Sequence, residues 1–135
     1  MESAGSIDYL KLQLVPEESM LCVTWLRGVS SGEYRQGLLH LRQLILDHGI
    51  KLWFVDARRL THVTFEDQQW IIKEIIPELL ASSLQKFVRV VQPDVFSYIT
   101  FEDLLRRAQQ NYSLIGHVEQ FTSAEAAMAW LQMND

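Results

Sequence analysis

The sequence predicts an α/β fold: one domain with a mostly parallel five-stranded sheet, an N-terminal antiparallel hairpin and about four helices. Three observations carry this expectation. Two β-rich runs, Tyr9–Val15 and Met20–Leu26, are separated only by Pro16-Glu17-Glu18-Ser19. A later apolar run, Leu52–Val55, lacks the alternation of a half-buried strand and reads as a strand covered on both faces, and Lys86–Val91 reads as a further strand. Between and after them, apolar residues recur at helical spacing. Strands alternating with helices build a parallel sheet through right-handed crossovers.

The first run, Tyr9-Leu10-Lys11-Leu12-Gln13-Leu14-Val15, alternates apolar and polar residues, and the short turn after it favours a hairpin with Met20–Leu26. Residues 1–7 are expected to be a flexible lead. Gly28 then punctuates, and Tyr34, Leu38, Leu41 and Ile45 form one face of a helix that Gly49 closes as a C-cap residue. Leu52–Val55 is the third strand, ended by Asp56. A second helical pattern runs from Phe65 through Ile72, Ile75, Ile76 and Leu79, with Pro77 inside it. The proline removes the i+4 donor from the Lys73 carbonyl and is expected to push Ile76 from the α region, kinking or ending the helix. Lys86–Val91 is a strand stopped by Pro93. Phe101, Leu104, Leu105 and Ala108 mark a third helix, Gly116–Phe121 a weak strand, and Ala124, Ala127, Met128 and Leu131 a final helix.

Ser30…Glu33, Thr64…Asp67, Thr100…Asp103 and Thr122…Glu125 share the spacing Ser/Thr-x-x-acid where helices are expected to start. The tetrapeptide Thr-Phe-Glu-Asp occurs at both 64 and 100. Convergent helix capping accounts for this more simply than a tandem repeat.

The 135 residues suit a single domain, of which 48% are hydrophobic and 21% charged. The net charge is −5, and neither half of the chain is basic, which argues against a nucleic-acid or anionic-membrane face. Cys22 is the one cysteine, expected as a reduced core thiol, so nothing points to an oxidising compartment. The N-terminus lacks a basic region followed by an apolar one, and no apolar run approaches the ~20 residues of a membrane helix, so the expectation is a cytoplasmic protein.

No arrangement for catalysis emerges. There is no Gly-x-Ser-x-Gly, no Gly-rich phosphate loop, no His-x-x-x-His and no cysteine cluster. His40, His48, His62 and His117 stand apart, so no metal, no cofactor and no enzymatic activity are expected. The polar constellation that remains lies where the carboxyl ends of the strands should gather: Gly28–Ser31, Asp56–Thr64, Pro93–Phe96 and Thr122–Ser123. Asp56, Arg58, Arg59, His62 and Thr64 are its candidate partner- or anion-binding residues. The plainer alternative is that Asp56 satisfies loop N–H groups and the arginines are simply solvated. Among four tryptophans, Trp53 reads as core, Trp130 as packing at the edge of the last helix, and Trp25 and Trp70 as candidate apolar contacts.

The segments Trp25-Leu26-Arg27-Gly28 and Val55-Asp56-Ala57-Arg58, the helix with Trp70, and Phe121-Thr122-Ser123-Ala124-Glu125-Ala126-Ala127-Met128-Ala129-Trp130-Leu131 resemble the SpoIIAA-like, or STAS-like, bacterial domain families. The resemblance spans Tyr9 to Leu131 and implies a single β-α superhelical domain. It also implies a regulatory module such as an anti-sigma-factor antagonist, or kinship with lipid-binding SEC14-type domains. The antagonists' Asp-Ser-Ser-Gly is replaced here by Val63-Thr64-Phe65-Glu66, so their phosphorylated serine is not carried over. Two functional expectations follow: a non-catalytic protein-interaction module, or a binding domain for an apolar small molecule or lipid. The second draws on the abundant aromatics and on a gap that a Pro77 kink would open beside the sheet. Weak homodimerisation is a further expectation, because Lys11 is the one charge on the first expected strand and Trp70 with the Pro77 region offers a second apolar patch.

Overall fold

The computed structural model describes residues 2–60, 63–113 and 117–133. Its strands are β1 (Glu2–Ile7), β2 (Leu10–Val15), β3 (Met20–Trp25), β4 (Leu52–Asp56), β5 (Lys86–Val90) and β6 (Val118–Phe121). Its helices are α1 (Ser31–His48), α2 (Phe65–Trp70), α3 (Ile76–Leu80), α4 (Val95–Ala108) and α5 (Ala124–Leu131), with a π turn at Ile71–Ile75 making α2 and α3 one continuous rod. The strands lie side by side in chain order; β1, β2 and β3 pair antiparallel, and β3 to β6 pair parallel.

The α/β class, the hairpin and the parallel remainder follow the sequence reading. The N-terminus does not: Glu2–Ile7, expected as a flexible lead, adds a sixth strand antiparallel to β2, with a register shift between Ser3 and Ser6. Its sequence carries no alternation to announce it; the unpaired N–H and C=O groups along β2 supply its partners. The β2 edge, one of the two supports of the homodimer expectation, is therefore occupied.

Each crossover from β3 to β6 steps to the next strand in the same direction, and a right-handed step always places its helix on the same side. So α1, the α2–α3 rod and α4 all cover one face of the sheet. That face presents Leu21, Val23 and Trp25 from β3, Trp53 and Val55 from β4, and Phe87 from β5, packed with Leu38, Leu41, Ile45, Ile71, Ile72, Ile75, Phe101 and Leu104 of the helices. Helix α5 lies on the opposite face and seals Met20, Phe54, Val88 and Val90 with Ala127 and Leu131.

The caps are mixed. Ser30 and Glu33 form a full capping box, and Thr64 Oγ1 accepts the Asp67 N–H at 3.1 Å. Gly49 closes α1 at φ 58°. The other two expected starts are corrected. Asp94 caps α4, six residues before Thr100, whose hydroxyl instead donates back to the Phe96 carbonyl at 2.8 Å inside the helix. Ser123 rather than Thr122 caps α5, accepting from Ala126 N at 3.2 Å. The repeated Thr-Phe-Glu-Asp thus begins one helix and lies mid-helix in another, which leaves no structural repeat.

Pro77 distorts its helix as expected, through a π turn. The Ile76 N–H reaches back five residues to the Ile71 carbonyl just before the proline ring. Ile76 itself stays in the α region at φ −58°, ψ −46°; the departure falls on Ile75, at φ −103°. Arg42 of α1 braces the turn, donating from Nη1 to the Glu74 carbonyl at 3.0 Å.

Candidate functional site

The carboxyl ends of β3, β4 and β5 form one edge, as the sequence reading placed them. At the end of β4, Asp56 grips its neighbour: Oδ1 accepts the Arg58 backbone N–H at 3.1 Å and Nε at 3.0 Å, while Oδ2 accepts Nη2 at 2.7 Å. Burial pushes the Asp56 carboxyl up, but the Arg58 hydrogen bonds outweigh it and hold the group below its ordinary value. Asp56 therefore does satisfy a loop N–H, and of the two arginines Arg59 alone extends without an ion pair among the described residues. Arg58 stays exposed despite its partner, as a surface ion pair costs little to hold or to lose. His62 lies outside the described residues. Thr64 is exposed, and its hydroxyl is committed to capping α2.

The acid of that cap has a separate task. Asp67 is buried, and its Oδ1 accepts from Ser31 Oγ and Arg35 Nε, both at 2.7 Å, tying α1 to α2. Burial raises its pKa, and these two partners more than reverse the shift.

The two tryptophans named as apolar contacts part company. Trp25 is fully buried between Tyr9 and Tyr34, at ring separations of 6.0 and 5.3 Å. Trp70 is half-buried, with the Arg35 guanidinium 5.2 Å above its ring.

Between the helix-covered face of the sheet and its helices lies a cavity of about 730 Å³. It runs the length of β5, from Gln85 and Lys86 at one end to Val91 and Gln92 at the other. Trp25, Trp53, Val55 and Phe87 form its floor; Leu38, Ile71, Ile75, Ile76, Leu79, Phe101, Leu104 and Leu105 form its walls. Arg58, Leu60 and Val63 of the polar edge also line it, so that edge is one end of the cavity. The volume falls within the ~300–1,000 Å³ of small-molecule sites, and so does the composition, apolar with few polar groups. The π turn contributes directly, because Ile71 and Ile75 both line the space.

Among the polar residues that line this volume, which include Arg58, Lys86, Asp94 and His117, three stand out. The Trp53 indole Nε1 is buried with no hydrogen-bond partner among the described residues, and so is the Gln68 Oε1. The third is Arg89, in the middle of β5 beside Val55 of β4 and Gln120 of β6. Its Nη1 donates to Gln120 Oε1 at 3.1 Å, and its guanidinium lies 4.8 Å from the centre of the Phe101 ring. Burial lowers its pKa, partly offset by the nearby Tyr34 phenol. Tyr34 is itself pushed up to about 12 by burial, so it is a neutral donor at ordinary pH.

Sequence reasoning missed Arg89. It was visible as the one charge within Phe87-Val88-Arg89-Val90-Val91, but its facing direction depends on register. Phe87 and Arg89 share a face, and that face is the one the crossover helices cover.

Among the described residues, no group of three or more His, Cys, Asp or Glu stands close enough to hold a metal ion, and no helix is long and apolar enough to cross a membrane. Comparison with protein-family models found no match, and comparison with curated proteins found none.

Proposed function

We propose that this chain is a non-catalytic, SpoIIAA-like cytoplasmic binding domain whose ligand is an apolar small molecule or lipid held between the sheet and the crossover helices. The observation that carries this is the cavity of about 730 Å³, walled by leucine, isoleucine and aromatic side chains. Of the two functional expectations raised by the sequence, this one has a volume of suitable size and chemistry behind it. The neutral dye Nile red tests it. The parent protein should take it up with enhanced emission and quench Trp53 or Trp25, and Leu105→Trp, which fills space from α4, should weaken uptake. A folded parent protein that leaves the dye in water removes the basis for the reading.

The protein-interaction reading keeps one supporting observation, the exposed Arg59, without an ion pair among the described residues, beside the exposed Arg58 at the cavity's edge. The double variant Arg58→Ala/Arg59→Ala should unfold within ~1 kcal/mol of the parent. If this surface binds an acidic partner, the variant should lose the proteins that the parent retains from a lysate; equal recovery argues against it.

A further inference from the structure

We infer that the cavity selects an amphiphile with a single carboxylate head, and that Arg89 is the residue that reads this head. The inference rests on the cavity being a ligand site and adds the chemistry of its occupant.

The charge pattern of the chain singles Arg89 out. Arg27 pairs with Asp8 and Glu33, Arg35 with Asp67, Arg42 with Glu78, Arg58 with Asp56, and Arg106 and Arg107 with Asp103. Arg59 is exposed to solvent. Arg89 alone combines a half-buried position on the cavity with the absence of any carboxylate partner among the described residues. The nearest acid in its network is one step removed: Gln120 accepts from Arg89 and donates to Glu102 Oε2 at 3.5 Å. A cation partly withdrawn from water without a counter-charge is costly, and an anionic ligand supplies that charge.

The available donors define the head. A guanidinium carries five N–H groups in a planar fork. Gln120 occupies Nη1, and the Phe101 ring lies against the guanidinium. Nε and Nη2 have no acceptor among the described residues. They form the side-on pair that a carboxylate accepts through both oxygens. Two other cations line the cavity, but Lys86 turns its Nζ to the Trp130 and Met133 carbonyls and Arg58 is held by Asp56, so Arg89 offers one uncompensated charge, which a carboxylate matches and a dianionic phosphate monoester exceeds. Trp53, diagonal to Arg89 across the β4–β5 register, adds an unpaired N–H to the same face. The leucine, isoleucine and aromatic side chains of the lining offer contact to a hydrocarbon body, while Lys86, Gln92 and Asp94 also border the space.

The test is competition against Nile red with three molecules of one chain length: the fatty acid, the fatty alcohol and the alkyl phosphate. The parent should bind the acid roughly ten- to a hundredfold more tightly than the alcohol, the range expected for a charge-assisted contact. Arg89→Leu should lose that preference while holding the alcohol as the parent does. Arg89→Gln, which keeps a polar group beside Gln120, should behave the same way and serves if the leucine variant fails to fold. Equal affinity of acid and alcohol in the parent overturns the inference and leaves the cavity reading standing. So does an acid preference that survives both variants, or tighter binding of the phosphate. Failure of all three molecules and of the dye overturns both.

Discussion

Gly37, in the middle of α1, faces the hairpin, and Gly37→Ala sets two known effects against each other. Alanine is the better helix former by ~1 kcal/mol, so an open site would gain stability. Here a Cβ would stand 2.9 Å from Trp25 Cη2, 3.2 Å from Leu10 Cδ1 and 3.3 Å from Tyr9 Cε2. Carbon atoms rest at ~3.5–4.0 Å, so all three contacts are too close. The neighbours have little room to retreat, since Trp25 is fully buried between Tyr9 and Tyr34 and Leu10 is inaccessible. Overpacking of this kind costs ~1–3 kcal/mol, and three simultaneous contacts put it in the upper half of that range. The net expectation is a loss of ~1–2 kcal/mol, a fall in Tm of roughly 4–8 °C for a domain of this size. Gly32→Ala in the first turn is the control: its nearest neighbour would be Ser30 Oγ at 4.0 Å, so it should gain a few tenths of a kcal/mol. Equilibrium urea unfolding reads both. If Gly37→Ala has a midpoint at or above the parent's with unchanged m, the close approach of α1 to the hairpin is refuted.

Asp67→Ala should cost ~2 kcal/mol, at the lower end for a buried acceptor because Arg35 is partly exposed and can rehydrate. The Asp67 pKa is depressed in the folded state, so its contribution is present above the unfolded value of ~3.9 and is lost as pH falls through the folded pKa. Unfolding titrations of parent and Asp67→Asn should therefore converge in acid; a constant gap removes the ion pair from the account. Tyr34 is raised to about 12, so its contribution is complete below the unfolded value of ~10 and disappears as pH rises through 12. Alkaline ultraviolet difference spectra should show late ionisation to which Tyr34 and, in the same direction, Tyr9 contribute, and which Tyr34→Phe reduces; four tyrosines titrating together would contradict the burial of Tyr34. Pro77→Ala restores a donor to the Lys73 carbonyl and should convert the π turn to α-helix, with Lys73–Ile76 amide shifts in NMR spectra and weaker Nile red uptake. Unchanged shifts beyond residue 77 would show that the turn has another cause.

What the sequence made legible was whatever local pattern decides. The β2–β3 hairpin, the continuous apolar run of β4, and the Gly49 cap needed no partner to be read. Pairing partners decide β1, which fills an edge, and α4, whose first turn Val95–Ile99 is apolar yet largely exposed, resembling neither a core helix nor a loop. The polar edge was located by the strand-end rule, but Asp56 and Arg58 proved to hold each other. Trp25 was an apolar contact in a buried sense only. The cavity was legible only through the break at Pro77: its size depends on how far the rod stands off the sheet. Arg89 was invisible because facing direction belongs to the sheet and not to the strand.

A volume of this size has a stability consequence that yields the final expectation. Engineered cavities cost ~24 cal/mol per Å³, which for 730 Å³ would be on the order of 17 kcal/mol if the space were dry and sealed. That exceeds the ~5–15 kcal/mol by which a whole domain is stable. The open polar edge at Arg58 allows solvent in and spares the fold that full cost, but water against Leu38, Ile75, Leu79 and Leu104 finds few partners there. A ligand that displaces this water should stabilise the native state through linkage, by ~2.7 kcal/mol at a hundredfold excess over Kd. In Arg89→Leu the half-buried cation is gone, so the unliganded variant should be at least as stable as the parent, and the gain from a fatty acid should shrink to that from the alcohol. Thermal unfolding with and without each molecule measures this. A parent Tm unmoved at saturation, in a protein that demonstrably binds the molecule, would place binding elsewhere, outside the native cavity.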